Sequence, residues 1–447
     1  MNTQYHERNI SMVMDMYELT MSNGYLNQGF KDTWVAFDVF YRNNPDNGGF
    51  AIFAGLQQVV EYIENLHFSE EDVEYLRSKR LFTEEFLEYL LHFRFRGDIY
   101  AMKEGTVMYP NEPVITVVAP LIDAQLIETT ILLEINHQSL IATKTNRIVQ
   151  AANGKPVSDF GARRAHNVDA AVYGARAAYI GGAAGTATVL AGKMFHIPIS
   201  GTMAHSWVMT FDSEYDAFKA YAESYPDGTV LLVDTYDVLK SGVPNAIRTA
   251  REVLEPMGKK LIGIRLDSGD LAYLSKEARK MLDEAGLSDC MIVASNSLDE
   301  YTISSLNRQG AKIDSYGVGE RLITSSSTPV FGAVYKLVAI QKDGKFIPKI
   351  KISETAEKIT NPGIKEVYRV YDENGKAVAD YLAVKGEQIR DFDPVRYVDP
   401  VNYWKNRSFV GCRFKKLQVP VFEKGKRIYD LPDIEEIRQY VKDQLEN

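Results

Sequence analysis

The sequence predicts an α/β fold, with a parallel sheet of βα units in the middle of the chain and a β-rich module built from its two ends. Between residues 155 and 340, short β-branched apolar runs alternate with helical stretches, as in parallel sheets with crossover helices. Residues 34–42 and 98–118 alternate like antiparallel strands, and Asp343-Gly344 and Asn374-Gly375 lie between apolar runs, which is typical of hairpins. We therefore expect segments 1–125 and 341–447 to pack together beside a central segment, 126–340.

The central segment contains enough apolar runs for a barrel. In chain order the six runs are KPVSDF, HIPIS, TVLLV, LIGIRL, MIVAS and KIDSYG. Segments with helical periodicity follow five of them, for example residues 168–180 and 270–286. Each run thus predicts one strand, and six parallel strands make closure into an α/β barrel plausible. The last stretch, residues 431–447, has the periodicity of an amphipathic helix.

Length, composition and charge exclude several classes of protein. With 447 residues, 45% of them hydrophobic and 25% charged, the chain can bury a large core and exceeds one typical domain. The net charge of -9 lacks the Lys/Arg excess of a nucleic-acid-binding protein, so we expect no nucleic-acid partner. A small anionic ligand remains compatible with this charge, because a few arginines and backbone amides can bind it.

Cysteine usage and hydropathy predict a cytoplasmic protein. Cys290 and Cys412 are the two cysteines and form no CxxC pair, which argues against a disulfide framework and a zinc knuckle. The first residues show no basic region followed by an apolar stretch, and no apolar run reaches roughly eighteen residues. We therefore expect neither export nor a membrane span. No histidine pair has HExxH spacing, so we predict no metal held by protein side chains alone.

Residues that suit ligand binding lie at or just after the ends of the apolar runs, where the loops of parallel sheets build their sites. In chain order they are Phe160, Arg163, Thr202, His205, Asp234, Arg265, Asp267, Asn296, Gly317 and Gly319. Aromatic rings stack on one another, guanidinium groups bind carboxylate or phosphate, and glycine amides approach phosphate oxygens. The set therefore indicates a site for a phosphorylated aromatic ligand. No GxGxxG follows a strand and no GxxxxGK[ST] is present, which disfavours dinucleotide and P-loop sites.

Three of these residues carry the strongest chemical argument. His205 follows one run and Asp234 follows the next, so neighbouring parallel strands could pair an imidazole with a carboxylate. Such a carboxylate fixes the tautomer of the imidazole and raises its nucleophilicity. Arg265 lies inside an apolar run, where an unpaired charge costs several kcal/mol, so it needs an anionic partner. That partner is either a ligand or the nearby Asp267.

Ordinary structural interpretations compete with these assignments. Arg163 and Arg164 are adjacent, which is typical of a solvated turn. Tyr17 lies in a predicted N-terminal helix, where a tyrosine normally belongs to the core. A single histidine on a loop, such as His205, is also more often structural than catalytic, and its position one strand before Asp234 is what favours chemistry.

Six further segments occur along the chain in the order DFGARRAH, GTMAHSW, LVDTYD, IRLDSGDL, SYGVGERL and GAVYKLV. Together with YELTMSNGY near the N-terminus, they resemble the motifs of the nicotinate phosphoribosyltransferase family over nearly the whole chain. The resemblance implies a fold similar to that of type II phosphoribosyltransferases, an irregular α/β barrel with a β-rich domain from the N- and C-terminal segments. It also implies the family's reaction in NAD salvage, in which nicotinate and phosphoribosyl pyrophosphate give nicotinate mononucleotide and pyrophosphate. This ligase-type glycosyl transfer uses Mg²⁺ and is coupled to ATP hydrolysis through a phosphohistidine.

The same resemblance implies a role for each candidate residue. His205 would carry the phosphate, Asp234 would orient it, and Asp267 would lie near the ribose or Mg²⁺. The implied substrate-binding residues are Tyr17 and Phe160 for the ring, Thr202 and Arg265 for nicotinate, Arg163 for phosphate, and Asn296, Gly317 and Gly319 for the ribose and 5-phosphate. Members of the family form dimers with shared sites, so Tyr17 is expected to reach the site of a second subunit in a homodimer.

Two positions bear on the choice of substrate. The related nicotinamide enzyme has an aspartate where this chain has Ala187, and that carboxylate would repel an acid substrate, so Ala187 favours nicotinate. Glu320 stands where some family members have Thr, and an acid beside phosphate would need Mg²⁺ or an arginine such as Arg321. The alternatives left open are a nicotinamide-using or quinolinate-using phosphoribosyltransferase and an inactive barrel that senses a metabolite.

Overall fold

The computed structural model describes residues 8–352, 359–399 and 402–447, and the chain forms two compact units. One unit combines Met1–Leu140 with Val330–Asn447, and the other is Ile141–Pro329. The predicted segments, bounded at 125/126 and 340/341, stay a prediction of how the chain is organised. Both chain ends contribute to the first unit, and the second unit is one continuous piece of the chain.

The N-terminal part of the first unit alternates short helices and strands. Its helices are α1 (Met16–Asn27), α2 (Leu56–Asn65), α3 (Glu70–Ser78), α4 (Glu84–Leu91) and α5 (Leu121–Gln125). A sixth helix, α6 (Glu128–Ala151), begins in this unit and ends in the second. Its strands are β1 (Trp34–Phe40), β2 (Ala51–Ile52), β3 (Asp98–Met102), β4 (Val107–Met108) and β5 (Ile115–Pro120). Ser69 and Thr83 begin α3 and α4 by accepting amide hydrogen bonds from the first helical turn, as N-cap residues do.

The second unit consists of βα repeats. Its strands are β6 (Val157–Asp159), β7 (Gly185–Thr186), β8 (Val230–Leu232), β9 (Gly263–Leu266), β10 (Met291–Ala294) and β11 (Ser315–Val318). Its helices are α7 (Val168–Ile180), α8 (Val189–Phe195), α9 (His205–Thr210), α10 (Glu214–Ser224), α11 (Val243–Thr249), α12 (Leu271–Glu284), α13 (Glu300–Arg308) and α14 (Glu320–Ile323). π-Helical turns at Val238–Gly242 and Ala250–Leu254 flank α11.

All six strands of the second unit, whose residues are all described, form one parallel sheet in the order β7-β6-β11-β10-β9-β8. Five of the six apolar runs form strands here, which confirms those five predictions. The strand predicted for HIPIS is wrong: the segment forms a single β-bridge between Ile199 and Thr186, and the unpredicted β7 takes its place. Pro198 explains the difference, because it accepts a hydrogen bond from Thr186 through its carbonyl but has no N–H to continue a ladder.

The C-terminal part of the first unit is almost entirely β-structure. Its strands are β12 (Val334–Lys342), β13 (Lys345–Pro348), β14 (Lys365–Tyr371), β15 (Ala377–Val384), β16 (Val395–Val398), β17 (Asn406–Phe409), β18 (Arg413–Lys416), β19 (Gln418–Glu423) and β20 (Lys426–Arg427). Both predicted hairpins are confirmed, between β12 and β13 and between β14 and β15. The predicted terminal helix is α15 (Ile434–Glu446), which begins with a capping box between Asp433 and Glu436.

Strands from both chain ends form one sheet, which is the β-rich module that the flanking patterns predict. Among the described residues of the first unit, seven strands pair in the order β13-β12-β1-β5-β3-β19-β20. β1 lies between β12 from the C-terminal part and β5 from the N-terminal part, and β3 pairs with β19. The buried carboxylate of Asp38 in β1 pairs with Lys365 at 2.8 Å, so the two ends also share an ion pair. No helix among the described residues is long and apolar enough to span a bilayer.

Glu18 is a buried acid in the first unit, on the helix that carries Tyr17. One of its oxygens accepts hydrogen bonds from the Asp15 and Thr129 amides, both at 3.2 Å, and from the Thr129 hydroxyl. The other oxygen, Oε2, is buried without a hydrogen-bond partner in the described structure. Burial, reinforced by the charge of Glu128 and opposed by these hydrogen bonds, raises the pKa of Glu18 to about 7.

We predict that Glu18→Gln makes stability less sensitive to pH. A carboxyl whose pKa is raised by folding stabilises the native state fully below its ordinary pKa, and this contribution is lost as the pH rises through about 7. Glutamine keeps the accepting oxygen and is neutral at every pH. Urea unfolding should therefore show the variant gaining roughly 2–3 kcal/mol relative to the parent between about pH 5 and about pH 8. Parallel pH profiles for the two proteins would contradict a buried, titrating Glu18.

Candidate active site

The carboxyl-terminal ends of the parallel strands surround one cavity in the second unit, of about 440 Å³. This is where the loops of parallel α/β sheets usually form binding sites. The cavity is lined by Phe160, Ala162, Arg163, Arg164, Ala187, Gly201, Thr202, Met203, Ala204, His205, Arg265, Asp267, Ser295, Asn296, Ser297, Gly317, Gly319 and Glu320. The structure therefore gathers nine of the ten predicted loop residues around one space. The tenth, Asp234, lies directly behind His205.

His205 and Asp234 form the pair that their positions after neighbouring runs predict. His205 is the first residue of α9, and Asp234 follows β8. The Nε2 atom of His205 lies 3.1 Å from Oδ1 of Asp234. The imidazole is 39% exposed, whereas the carboxylate is 1% exposed. The carboxylate thus orients an accessible ring and leaves Nδ1 for other partners.

Asp234 also holds the loop that follows β9. Its second oxygen accepts a hydrogen bond from the Asp267 amide at 3.1 Å and another from the Ser268 hydroxyl at 2.5 Å. A carboxylate with this many donors is fixed in orientation, because each charge-assisted bond constrains the same planar group. The histidine and the Asp267 loop are therefore positioned by one buried side chain.

Arg265 is a partly buried cation that lines the cavity from β9. Its guanidinium donates to the Thr202 hydroxyl, and its Nε is buried without a hydrogen-bond partner in the described structure. Burial lowers the pKa of Arg265, although the charges of Asp267 and Asp234 oppose the shift. Asp267, the internal partner considered above, instead accepts from the Ser295 hydroxyl. A partly buried guanidinium with a free donor provides a binding position for an anionic ligand.

Phe160 and two glycines form the aromatic side of the cavity. Phe160 follows β6, and its amide donates to the Val318 carbonyl at 2.8 Å, which places the ring against β11. A side chain at Gly317 would overlap the ring carbons of Phe160, and one at Gly319 would approach the Phe160 carbonyl at 3.2 Å. Glycine at position 317 is therefore required for Phe160 to lie where it does.

The arginines after β6 have different surroundings. Arg163 is exposed and lines the cavity. This position fits both a solvated turn residue and a phosphate-binding residue. Arg164 lies 3.7 Å from Glu320, which gives Glu320 a cationic partner. The suggested pairing of Glu320 with Arg321 is wrong, because Arg321 forms an ion pair with Asp299 instead.

Several residues of the site were missed in the sequence. Asp159 is fully buried, and its carboxylate accepts from the Gly161 amide at 2.8 Å and from the Thr186 hydroxyl at 2.7 Å, so it connects the ends of β6 and β7. Burial raises its pKa, and these hydrogen bonds oppose the shift. An acid in the apolar run KPVSDF was the available signal. Ser295 and Ser297 also line the cavity, and nothing in the sequence separates them from other loop serines.

Tyr17 is the one predicted site residue outside the second unit. It lies on α1 of the first unit with 42% of its surface exposed. Burial of the hydroxyl, the charge of Glu128 and a hydrogen bond to Glu128 raise the pKa of Tyr17. Tyr17 is therefore a partly exposed ring held at one end, not a core residue, and its contact with a substrate ring stays a prediction.

Comparisons with known proteins cover the whole chain. Models described as the nicotinate phosphoribosyltransferase N-terminal domain, family and C-terminal domain match residues 12–136, 156–374 and 364–447. The chain is 48% identical over 442 residues to nicotinate phosphoribosyltransferase of Bacillus subtilis, covering 99% of this chain and 90% of the relative. A Mycobacterium tuberculosis protein with the same description is 41% identical, with coverage of 98% and 87%.

Solved structures give the same result. The structure of human nicotinic acid phosphoribosyltransferase matches with a TM-score of 0.86 at 27% identity, covering 97% of this chain and 93% of that one. A structure described as nicotinate-nucleotide pyrophosphorylase from Pyrococcus furiosus matches with a TM-score of 0.75 at 27% identity, with coverage of 100% and 97%. Sequence and architecture therefore agree along the full length of the chain.

Proposed function

The chain belongs to the nicotinate phosphoribosyltransferase family and has the fold of a type II phosphoribosyltransferase, and from this we propose that it joins nicotinate to phosphoribosyl pyrophosphate. The pyridine nitrogen of nicotinate forms a bond to C1 of the ribosyl group as the bond from C1 to the pyrophosphate oxygen breaks. The products are nicotinate mononucleotide and pyrophosphate. We further propose that ATP hydrolysis drives the reaction through a phosphohistidine at His205.

The observation that carries this proposal is Arg265, a partly buried guanidinium whose Nε has no hydrogen-bond partner in the described structure and which lines a cavity with Phe160. Nicotinate is an aromatic ring with a carboxylate, and these two side chains match its two parts. The Thr202 hydroxyl, which bonds Arg265, is a second donor for the carboxylate once a ligand is bound. The ring would stack on Phe160, which can lie here because Gly317 has no side chain to overlap it.

The phosphoribosyl group fits the remaining part of the cavity. Gly317 and Gly319 line the cavity without side chains, and Asn296 offers an amide for the ribose hydroxyls. Arg163, which is exposed and lines the same cavity, would bind phosphate. Asp267 would lie beside the ribosyl carbon, where a carboxylate stabilises the positive charge that develops as pyrophosphate leaves.

Mg²⁺ is proposed to enter with the substrate. Among the described residues, no group of three or more His, Cys, Asp and Glu could hold a metal ion. Mg²⁺ in such sites is bound by substrate phosphates and water together with one or two carboxylates. Asp267, which lines the cavity, would be the carboxylate that the protein provides. Bound Mg²⁺ would neutralise charge on pyrophosphate, and the side chains of the chain would position the pyridine and the ribose.

The geometry of His205 indicates which nitrogen would accept phosphate. Because Asp234 contacts Nε2 at 3.1 Å, a proton shared on that side leaves the lone pair of Nδ1 free to attack the γ-phosphorus of ATP. The bond from that phosphorus to the oxygen of ADP breaks in the same step. Phosphate on His205 adds negative charge and acceptor oxygens at the edge of the cavity, which we propose orders Mg²⁺ and the loops for tighter binding of phosphoribosyl pyrophosphate.

We predict that His205→Ala forms no ADP and takes up no label from γ-labelled ATP, while it retains slow synthesis of nicotinate mononucleotide without ATP. Product and ADP should be followed together, with nicotinate, phosphoribosyl pyrophosphate, Mg²⁺ and ATP present. His92→Ala is the control, because this exposed histidine contacts only Glu88 on its own helix and should behave like the parent. If His205→Ala still hydrolyses ATP in step with product, the phosphohistidine assignment is wrong.

Substrate choice is proposed to depend on Ala187. Its side chain lines the cavity, and its amide is held by the Asp159 carbonyl at 2.8 Å, so a longer side chain at this position would point to the substrate from a fixed backbone. A carboxylate there would repel the carboxylate of nicotinate and could accept hydrogen bonds from the amide of nicotinamide. The small, neutral alanine thus favours the acid.

We predict that Ala187→Asp lowers kcat/KM for nicotinate by about tenfold or more, because it places like charges in one cavity. Ala187→Asn has nearly the same volume without the charge and should lose much less. Turnover of nicotinate, nicotinamide and quinolinate should be compared for all three proteins, since this comparison also tests the alternative substrates. Equal losses of nicotinate turnover in the two variants would show that the size of the side chain at 187, not its charge, impairs binding of the acid.

A sensor without catalysis is the alternative from another class. It predicts that the three pyridines or phosphoribosyl pyrophosphate bind without release of pyrophosphate. The close pairing of His205 with Asp234 and the free donor of Arg265 favour an enzyme. Measured pyrophosphate release by the unmodified protein distinguishes the two functions.

We also propose a homodimer in which Tyr17 completes the site of the partner copy. Large apolar side chains next to the cavity-lining residues are exposed: Val189 follows Ala187 by two residues and is 67% exposed, and Ile199 precedes Gly201 and is 60% exposed. Gly192 of α8 lets Ile199 lie against the helix, because a side chain there would overlap it. An apolar rim beside a polar cavity is suited to a protein partner, and the exposed ring of Tyr17 would be a suitable contribution from it.

We predict that co-expression of Tyr17→Ala and His205→Ala restores ATP-coupled synthesis that neither variant has alone. In a mixed dimer one site has Tyr17 from one copy and His205 from the other, so random assembly should give about a quarter of the parental activity. Light scattering should show a mass twice that of the chain. Activity of the mixture that never exceeds the sum of the two variants would contradict a shared site.

A further inference from the structure

The loop after β10 contains two consecutive residues with left-handed backbone conformations. Asn296 has φ 91° and Ser297 has φ 49°, a region that residues other than glycine adopt at a cost. Both residues line the cavity, and both are exposed. Such a turn persists where its surroundings hold both of its ends, so the contacts on either side of the turn decide its shape.

The turn is anchored on its N-terminal side by Ser295. The Ser295 amide donates to the Leu266 carbonyl at 2.9 Å, and its hydroxyl donates to Asp267. These contacts tie the start of the turn to the end of the neighbouring strand, β9. They do not fix the other end, which follows Ser297 through the buried Leu298.

The C-terminal anchor is Asp299, whose two carboxylate oxygens have separate partners. Oδ1 caps α13 by accepting from the Thr302 amide at 2.7 Å, and Oδ2 forms an ion pair with Arg321. Although burial favours the neutral acid, the bonds from Thr302 and the pairing with Arg321 lower the pKa of Asp299. The carboxylate is therefore charged throughout the neutral range.

Arg321 belongs to the loop that follows β11. It lies in α14, whose N-cap is Gly319, and Gly319 lines the cavity. Asp299 and Arg321 are not among the cavity-lining residues of this fully described unit. Their ion pair is thus a connection, outside the cavity, between the strained turn and the glycine loop.

We propose that the Asp299–Arg321 ion pair positions the strained Asn296–Ser297 turn against the Gly317–Gly319 loop and thereby sets the affinity for phosphoribosyl pyrophosphate. Asp299 and Arg321 are positioning residues, because they act through the two loops and do not contact substrate. The nature of the substrate rests on the proposed function above. Nicotinate, whose carboxylate would bind Arg265 in β9 and whose ring would stack on Phe160 after β6, should be affected little.

Three variants test the pair. Asp299→Asn keeps the oxygen that caps α13 and removes the charge that pairs with Arg321, Arg321→Gln removes the other partner, and the double variant removes both. Each single variant should raise KM for phosphoribosyl pyrophosphate by about fivefold, the scale of a partly exposed ion pair. KM for nicotinate and kcat should change by less than about twofold, and the double variant should be no worse than either single one. Arg321→Lys should restore most of the affinity.

Arg248→Gln is the matched control, because it breaks an exposed arginine–carboxylate pair, with Glu252, in the same unit. Its kinetic constants should equal those of the parent. Equal increases in KM for both substrates, or lower thermal stability with KM unchanged, would overturn the proposal and leave the pair a structural one. Additive effects in the double variant would also overturn it.

Amide hydrogen exchange keeps this test separate from the proposed function. Without any substrate, residues 295–299 should exchange faster in Asp299→Asn than in the parent, and the same residues should be unchanged in Arg248→Gln. Unchanged exchange in Asp299→Asn would overturn the positioning role even if the enzyme is active. Absence of turnover by the parent would instead overturn the proposed function, and the exchange result would still decide whether the pair holds the turn.

Discussion

The buried carboxylate of Asp234 is the constraint on which the rest of the site depends. One oxygen holds His205, and the other holds the Asp267 amide and the Ser268 hydroxyl. This one side chain, which follows β8, therefore connects the start of α9 with the loop after β9. A carboxylate at 1% exposure is stable only because each of its oxygens has donors. The histidine is then oriented by the fold and not by the ligand.

A second feature is a cation that the fold leaves incompletely bonded. Arg265 lies on β9 with a buried, unpartnered Nε, an arrangement that lowers stability unless an anion binds. Phe160 after β6 and Gly317 in β11 form the aromatic side of the cavity, so the ring and the acid of one ligand have separate places. The strained turn at Asn296 and the glycine loop at Gly319 form the remaining edge, and polar contacts outside the cavity hold them together.

Most of the fold, and most of the functional residues that line the cavity, could be predicted from the sequence, because both depend on local patterns. Five apolar runs form the predicted strands, and the residues after them converge since parallel strands end at the same edge. The prediction failed at HIPIS, where Pro198 cannot continue a ladder. It also offered Arg321 as an example of an arginine for Glu320, whereas Arg164 lies beside Glu320 and Arg321 pairs with Asp299. Pairings of this kind depend on which loops meet in space, and neither spacing nor composition encodes that. For the same reason, the position of Tyr17 on its helix did not predict how exposed its ring would be.

A crystal structure with nicotinate mononucleotide bound is the most direct measurement of the central claim, that one cavity at the ends of the parallel strands binds both halves of the product. We expect the pyridine ring on Phe160, its carboxylate on Arg265 and Thr202, and the 5-phosphate at the backbone of Gly317 and Gly319. Density for the product elsewhere, or bound here with its carboxylate away from Arg265, would contradict the account.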